Sequence, residues 1–428
     1  MKKSLAALLG WMVLVATVFA EEKPTYPEFA MQKSNVVQVR EGIGNVVKKL
    51  EAGGDVTIAY FGGSITAQNG WRPKTTAWLK TQYPKANIHE IHAAIGGTGS
   101  DLGVYRNAFD VLRHKPDLVF VEFATNDSGA SPVNIWKNME GIVRQTWRAN
   151  PETDIVYTYT FTADKEPFIL QGTYTPSASA MEMLADFYGI PSINFCPRIV
   201  SLKQADQLVY KSNEKEIPGK IIFSGDGVHP HDAGHEEYLK DILQGWNAMK
   251  TLPAVNHAAK LEKCFVADNN EAAKMVDITP DMLKGNWTKL AQGDKNYGFT
   301  NRTGEMWTAN APGSTLTFRF KGSAAKIYDV LGPDCGQVTI SVDGKEASKP
   351  IPRFDSYCTW YRLATLRCCE GLDPNEVHTV VVTIHPEQPD RHSVAFRLKD
   401  PEKELAEPKF QGTNVWFGKI MLMGDLVK

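Results

Sequence analysis

The sequence predicts an α/β protein with a parallel sheet, followed by a smaller all-β domain. Between residues 54 and 243, apolar strand-like runs alternate with helix-like stretches, which is typical of parallel strands joined by right-handed crossovers. The run LVFVEF is apolar over almost its whole length, as expected for a strand that helices cover on both faces. After Pro253 the pattern changes to short alternating runs separated by turn residues, which favours β-structure.

Each element of the first domain has its own signal in the sequence. The predicted strands are VTIAYF (56–61), IHEIHAAI (88–95), LVFVEF (118–123), DIVYTYT (154–160) and PSINF (191–195). The predicted helices cover residues 73–83, 102–114, 132–150, 177–188 and 232–250. We expect the helices to cover both faces of the sheet.

The last third of the chain predicts a jelly-roll-like β-sandwich over residues 286–428. Its strand-like runs are STLTFRF (314–320), AAKIYDVLG (324–332), QVTISVDGKE (337–346), HTVVVTIHP (378–386), SVAFRLK (393–399) and NVWFGKIMLM (414–423). The DG pair in the third run is typical of a hairpin turn. Residues 254–285 are predicted to connect the two domains, with a short strand at 264–267.

Residues 1–20 have the layout of a secretory signal peptide. Two lysines precede an apolar run and small residues follow it, so we predict cleavage after Ala20 and a protein that is periplasmic or secreted. The alternative is an uncleaved anchor helix, for which the apolar run is short. No later run is long and apolar enough for a membrane span, so we expect no membrane insertion after cleavage.

The net charge and the cysteine content indicate which binding partners and which covalent links to expect. The formal net charge is −2, which argues against a basic nucleic-acid-binding face. Export permits disulfides, and five of the six cysteines follow residue 253. We expect one or two structural disulfides in the C-terminal part, whose pairing the sequence leaves open, and no catalytic thiol.

Polar residues follow three of the predicted strands, and a further polar segment precedes the last helix. Ser64 in FGGSIT follows the first strand, Gly97 in IGGTGS the second and Asn126 in ATND the third. The segment SGDGVHPHDAGH carries Asp226 and His229. Because the carboxyl ends of parallel strands meet at one edge of the sheet, we expect these groups to lie together.

These residue types suit nucleophilic catalysis by a serine. His229 can take the hydroxyl proton of Ser64, and Asp226 can orient the imidazole and stabilise its charged form. The backbone N–H groups of Ser64 and Gly97 and the side-chain amide of Asn126 can stabilise an oxyanion. The alternatives are that Ser64 is an ordinary turn serine and that Asn126 and Asp127 cap a helix. The capping role can hold for Asp127 while Asn126 still acts as an oxyanion donor.

The blocks FGGSIT, HAAIGGTGS, FATND and DGVHPHDAGH, in this order, resemble the four signature blocks of the SGNH (GDSL-type) hydrolases. The GGSIT form is similar to the carbohydrate-esterase-like branch of that family. The resemblance covers residues 54–245 and implies a three-layer α/β/α, flavodoxin-like catalytic domain, which we place at residues 21–253. It implies that Ser64 is the nucleophile, that Asp226 and His229 complete the triad, and that Gly97 and Asn126 are oxyanion donors. It also implies that no cofactor or metal is needed.

Two positions depart from the family pattern. Gly63 stands where the family usually has an aspartate, and Ala124 stands where the third block usually begins with glycine. The missing aspartate removes a supporting hydrogen-bond partner and leaves the proposed catalytic groups in place.

The predicted function is removal of acetyl or other small acyl groups from polysaccharide or oligosaccharide. Trp71 and Arg72 follow Ser64 closely and are predicted to line the acceptor site, the alternative being a core aromatic and a surface charge. The β-sandwich is expected either to bind glycan or to complete the substrate cleft.

Several other functions stay open at this stage. The chain can be a glycan-binding protein with an inactive hydrolase domain, an acyltransferase, or a lipase-like esterase that acts on non-carbohydrate esters. A metal site at HPHDAGH is a further alternative, although the segment lacks the glutamate of a zinc-protease motif.

Overall fold

The computed structural model describes residues 24–428, so the predicted signal peptide lies outside the described residues. Within this range, a mainly parallel six-stranded sheet is followed by a ten-stranded antiparallel sheet. The predicted succession of an α/β domain and a β-domain is confirmed. No helix of this part of the chain combines the length and the apolar character of a membrane span.

Short and long strands form the sheets of the first domain. They are β1 (Val37–Gln38), β2 (Asp55–Gly62), β3 (Asn87–His92), β4 (Leu118–Glu122), β5 (Asp154–Tyr159), β6 (Ser192–Asn194), β7 (Leu208–Lys211) and β8 (Ile221–Ser224). The first six form one sheet in the order β1-β6-β5-β4-β2-β3, in which only β1 runs antiparallel to its neighbour. Strands β7 and β8 form a separate parallel pair. The sequence did not predict β1 or this pair, because strands of two to four residues are too short to show an alternating pattern.

Helices cover both faces of the six-stranded sheet, as predicted. They are α1 (Gly44–Ala52), α2 (Ser64–Ala67), α3 (Trp71–Gln82), α4 (Ser100–Asp110), α5 (Pro132–Ala149), α6 (Glu166–Leu170), α7 (Pro176–Tyr188), α8 (Cys196–Gln204) and α9 (Asp232–Met249). One core cluster joins the sheet to α4, α5 and α7. A second cluster joins its other face to α1, α3, α8 and α9. The domain is therefore a three-layer α/β/α structure.

Local capping explains where two of the longer helices begin. Ser131 accepts a hydrogen bond from the backbone N–H of Asn134 at the start of α5, and a proline occupies the first helical position. Thr175 caps α7 in the same way and again precedes a proline. A capping hydroxyl and a proline at this position both favour the first turn of a helix.

The second domain contains ten strands that pair antiparallel throughout. They are β9 (Ala273–Asp277), β10 (Leu283–Lys284), β11 (Thr288–Lys289), β12 (Trp307–Ala309), β13 (Thr315–Leu331), β14 (Gln337–Val342), β15 (Ile351–Pro352), β16 (Arg362–Cys369), β17 (Val377–Ile384) and β18 (Val415–Val427). Their apolar side chains form a core cluster of their own. Only two short helices accompany them in the described chain, α10 (Thr300–Thr303) and α11 (Pro401–Leu405).

Two predicted strands, 314–320 and 324–332, are one continuous strand of 17 residues, β13. Its register shifts between Gly322 and Ala324, so that its first half pairs with β17 and its second half with β16. Gly322 has φ +157°, and a side chain there would overlap the carbonyl of Met423 on β18. The bend needs glycine because the two backbones approach closely at this point.

Two of the strands predicted after residue 253 are wrong, and one predicted turn is confirmed. The strand predicted at 264–267 is wrong, and β9 lies further along the chain and pairs with β18. The strand predicted at 393–399 is also wrong, since that segment forms a 3₁₀ turn and bends. The predicted DG turn is confirmed, because Asp343 and Gly344 both have positive φ. The division at residues 253 and 285 stays a prediction.

The two domains share buried side chains and polar contacts. Tyr328 and Met421 of the β-domain belong to the same core cluster as Val104 and Tyr105 on α4. The guanidinium of Arg302 donates hydrogen bonds to the carbonyls of His92, the last residue of β3, and of Ala94, which follows it. The β-domain therefore packs against α4 and against the end of β3, the strand that leads into the turn with Gly97.

All six cysteines are free thiols, which contradicts the expected disulfides. Cys335 and Cys358 are buried in separate core clusters, where each behaves as a small apolar side chain. Burial raises the pKa of the Cys358 thiol to about 12, which disfavours the reactive thiolate.

The free thiols lead to a direct prediction. The purified, non-reduced protein, unfolded in guanidinium chloride, should react with six equivalents of Ellman's reagent. A sample reduced beforehand and desalted is the control and should give the same value. A value lower by two or four equivalents in the non-reduced sample alone would contradict the structure.

Candidate active site

The strand order places the predicted site residues side by side at one edge of the sheet. β2 lies between β3 and β4 and runs parallel to both. Ser64 follows β2, Gly97 lies in the turn after β3 and Asn126 lies in the turn after β4. The carboxyl ends of three adjacent strands thus carry the three groups, as expected for a site in an open α/β sheet.

Ser64, His229 and Asp226 form a continuous hydrogen-bonded chain. The Oγ of Ser64 lies 2.8 Å from Nε2 of His229, and Nδ1 of the same ring lies 2.7 Å from Oδ2 of Asp226. Ser64 is half-buried at the start of α2, and His229 and Asp226 lie in the turn between β8 and α9. The spacing and order are those of a serine nucleophile, its base and the carboxylate that orients the base.

The carboxylate of Asp226 is held in its ionised form. Partial burial raises its pKa, but hydrogen bonds from the ring and backbone N–H of His229 and from the backbone N–H of Val228 lower it to about 2. A lowered pKa means that the ionised form favours the folded state above the unfolded pKa of about 4, and that this contribution is lost only as the pH falls through about 2. Asp226 therefore stays charged throughout the neutral range.

The turn that carries His229 is anchored on both sides. The hydroxyl of Ser224 at the end of β8 accepts the backbone N–H of Gly227 at 2.7 Å and donates to the carbonyl of Tyr210 on β7. Gly227 has φ +88°, which favours glycine, and its carbonyl accepts the backbone N–H of Ala163. The otherwise unpredicted strand pair β7–β8 thus positions His229, the predicted general base.

The proposed oxyanion donors surround Ser64. The carboxamide of Asn126 packs directly on the Cα of Gly63, the residue before the nucleophile. A Cβ built on Gly96 would lie 3.6 Å from the Cβ of Ser64, so the turn after β3 passes beside the serine. Gly97 has φ +71° and open space around it. The catalytic and oxyanion roles of these residues stay predictions, although the structure brings them together.

The contact between Gly63 and Asn126 lies at a position that departs from the family pattern. A side chain on Gly63 would overlap the side-chain oxygen of Asn126 in its present position. An aspartate at position 63 would therefore need the carboxamide of Asn126 to move, whereas glycine leaves it in place.

Asp127, the neighbour of Asn126, has a structural role. Its Oδ1 accepts the backbone N–H of Ser100 at 2.9 Å, at the start of α4. Burial raises its pKa to about 6, against the lowering effect of the hydrogen bonds from Ser100. The capping alternative therefore describes Asp127, and it fixes α4 beside the site.

The structure contradicts the substrate-binding role predicted for Trp71 and Arg72. Trp71 is fully buried and packs on the aromatic rings of Tyr60 and Phe120. Arg72 is also buried, donates a hydrogen bond to the carbonyl of Thr66 at 3.2 Å and forms an ion pair with Glu90. Both residues support the segment after Ser64 from behind, because α3 turns them toward the core.

The histidines of HPHDAGH have different environments. His229 belongs to the hydrogen-bonded chain, His231 is exposed, and His235 is buried against Gly70. Burial lowers the pKa of His235 to about 4. Among residues 24–428, no group of three or more His, Cys, Asp or Glu side chains is placed to hold a metal ion.

Sequence reasoning missed one buried carboxylate beside the nucleophile. Glu122, the last residue of β4, accepts hydrogen bonds from the hydroxyls of Thr66 and Thr160. Its signal was present in the run LVFVEF, where a single acidic residue interrupts an apolar strand. A charged residue at such a position needs partners, and these come from distant parts of the chain.

A polar cleft of about 490 Å³ opens beside Asn126. Both domains line it, and most of its side chains carry charges or amides. The lining residues are Asp101, Tyr105, Asn126, Asp127, Gly129, Ala130, Asn134, Asn138, Asn270, Lys326, Arg367 and Glu370. The β-domain therefore forms part of the surface next to Asn126.

The tight contact at position 63 can be tested with a single methyl group. Gly63→Ala should lower kcat for p-nitrophenyl acetate by about 10²–10³-fold, because the methyl displaces the carboxamide of Asn126. Gly298→Ala is the control, since no atom lies within 4 Å of the position of its Cβ. A kcat near the wild-type value in Gly63→Ala, measured on folded protein, would argue against this role of Asn126.

Comparison with known proteins agrees with this geometry. The sequence profile of the GDSL-like Lipase/Acylhydrolase family matches residues 60–237. No curated protein sequence matches the chain.

Two crystal structures are similar over both domains. A two-domain esterase (CEX) active on acetylated mannans superposes with a TM-score of 0.69 and 20% identity, over 93% of this chain and 100% of that one. The two-domain esterase (CEX) active on acetylated mannans and co-crystallised with mannopentaose gives a TM-score of 0.67 and 19% identity, over 94% of this chain and 99% of that one. At these identities the similarity establishes a shared two-domain fold. The chain therefore contains a domain of the GDSL-like lipase/acylhydrolase family, which places it among the carboxylic ester hydrolases.

Proposed function

We propose that this protein is an exported serine esterase that removes O-acetyl or other small acyl groups from polysaccharide or oligosaccharide. The observation that carries the proposal is the chain of hydrogen bonds from Ser64 through His229 to Asp226, with lengths of 2.8 and 2.7 Å. It lies within the segment that matches an acylhydrolase family.

The acylation step follows from this geometry. Ser64 Oγ attacks the ester carbonyl while His229 Nε2 accepts its proton, and Asp226 stabilises the imidazolium. The tetrahedral oxyanion receives hydrogen bonds from the backbone N–H groups of Ser64 and Gly97 and from the amide of Asn126. Collapse of this intermediate breaks the bond to the sugar oxygen, which takes the proton from His229 and leaves as an alcohol.

Deacylation repeats the same proton transfers with water. His229 takes a proton from the water that attacks the acyl-enzyme, and returns it to Ser64 Oγ as the carboxylic acid departs. His229 carries the transferred proton in both steps, so the reaction balances with the ester and water as its only reactants.

The composition of the cleft beside Asn126 favours a carbohydrate over a lipid. Asn134, Asn138 and Asn270 offer amide groups, and Lys326 and Arg367 offer cationic donors, which can all bind sugar hydroxyls. A fatty acyl chain would need a mainly apolar lining instead. The proposal also draws on the two-domain esterase active on acetylated mannans, which has the same two-domain arrangement.

The alternatives differ in measurable ways. An acyltransferase would pass the acyl group from Ser64 to a sugar hydroxyl, so acetylated acceptor would accumulate in place of free acetate. A lipase-like esterase would prefer long-chain esters. A glycan-binding protein with an inactive domain would release no acid from any ester.

The nucleophile is tested by release of acetate. The wild-type protein should release acetate from acetylated mannan or xylan oligosaccharides and from p-nitrophenyl acetate, and Ser64→Ala should reduce kcat by at least about 10³-fold because no nucleophile remains. Ser128→Ala, an exposed serine after the third block, is the matched control. Equal acetate release by wild type and Ser64→Ala would contradict the proposed mechanism.

The role of the cleft is tested by comparing KM for an acetylated sugar with KM for an ester that contains no sugar. Arg367→Ala should raise KM for an acetylated oligosaccharide by about 5–10-fold, the loss of one or two hydrogen bonds, and leave KM for p-nitrophenyl acetate unchanged. Arg319→Ala, on an exposed part of β13 outside the cleft, is the control. The same change in KM for both substrates would argue against sugar binding in this cleft.

A further inference from the structure

A buried carboxylate lies directly beneath the turn that carries the nucleophile. Glu122 ends β4 beside Gly62, its register partner on β2, and its side chain is 1% exposed. The proposed reaction uses no group of Glu122. Removing a carboxylate from water is costly, so its presence here calls for a compensating role.

Two hydroxyl donors from different segments converge on this carboxylate. The hydroxyl of Thr66 donates to Oε2 at 3.0 Å, and the hydroxyl of Thr160 donates to Oε1 at 3.0 Å. Thr66 lies in α2, two residues after Ser64, so Glu122 holds the helical turn that begins at the nucleophile.

A carboxylate supports the turn although residue 63 is not an aspartate. The carboxamide of Asn126 occupies the space that a side chain on Gly63 would need. The supporting carboxylate comes from another strand instead. Glu122 reaches it from β4, which is adjacent to β2 and also leads into the turn that bears Asn126.

The charged and titratable groups that face Glu122 are Lys165 and Tyr238. The ammonium of Lys165 is buried and donates to the hydroxyl of Thr125 and to the carbonyl of Thr160, so it reaches the carboxylate through these threonines. Tyr238 is fully buried on α9 and adds a neutral phenol. Burial raises the pKa of Glu122 to about 7, although the charge of Lys165, the two threonine hydroxyls and the nearby backbone N–H of Gly63 lower it.

We propose that Glu122 is a positioning residue, which holds the backbone around Ser64 and the adjoining oxyanion hole in their reactive geometry through its hydrogen bond with Thr66. This inference rests on the proposed serine-esterase function. The ionised form of Glu122 accepts both hydroxyl hydrogen bonds, whereas protonation turns one acceptor into a donor and loosens the turn.

The test is Glu122→Gln, which keeps the shape but removes the charge and one acceptor. With p-nitrophenyl acetate at pH 8, kcat should fall by about 10–100-fold while KM changes by less than about threefold, because only the transition state depends on the turn. As the pH falls through about 7, wild-type kcat should lose the contribution of ionised Glu122, and the pH profile of the variant should lack this component.

Stability separates positioning from a merely structural role. A carboxyl group whose pKa is raised on folding favours the folded state at low pH, and this contribution is lost as the pH rises through about 7. The melting temperature of Glu122→Gln at pH 8.5 should therefore equal or exceed that of wild type while kcat is reduced. Asp241→Asn is the matched control, because burial also raises the pKa of Asp241 to about 7, and its partner Arg198 lies away from Ser64. The kcat of Asp241→Asn should stay equal to that of wild type.

A second variant keeps the inference testable if Glu122→Gln does not fold. Thr66→Val removes one donor to Glu122 and should lower kcat by about 3–10-fold with KM unchanged. Wild-type kcat in both variants, or the same loss in Asp241→Asn, would overturn the positioning role. Wild-type activity that Ser64→Ala abolishes would still support the esterase function in that case, so the two proposals can fail separately.

Discussion

The contact between Gly63 and Asn126 is the constraint on which the rest of the site depends. The carboxamide lies against the bare Cα of the residue before Ser64, and a side chain there would displace it. This closeness joins the proposed nucleophile after one strand to the proposed oxyanion donor after the next. The carboxylate that supports the turn is Glu122, from the neighbouring strand.

Several buried polar groups around this contact act as supports for backbone. Asp127 caps α4, Arg72 holds the carbonyl of Thr66, and Ser224 anchors the turn before His229. The groups proposed to react are partly exposed, whereas their supports are buried. Such an arrangement leaves the ester accessible and keeps the surrounding backbone rigid, because buried hydrogen bonds do not compete with water.

The β-domain contributes to the same edge of the sheet. Lys326 and Arg367 from adjacent strands face the polar cleft, and Arg302 binds carbonyls at the end of β3 and just after it. The antiparallel domain therefore contacts the edge of the sheet that carries the candidate site, through side chains that a separate sugar-binding module would not need. A role in completing the substrate cleft agrees with this placement better than a role in binding at a distance.

Residue patterns close together in the chain were enough to predict the alternation of strands and helices, the three-layer arrangement and the four segments that meet around Ser64. Hydrophobic periodicity and strand-end position carry that information because both are local. Patterns of this kind could not reveal that Trp71 and Arg72 turn inward, that two predicted strands join into β13, or that the cysteines stay apart. They also could not identify the partner of Gly63. Those features depend on which side chains meet across hundreds of residues, and distances between remote segments are set by packing of the folded chain. Glu122 illustrates the difference: its presence in an apolar strand was visible in the sequence, but its contact with the nucleophile's turn exists only after β4 and β2 pair.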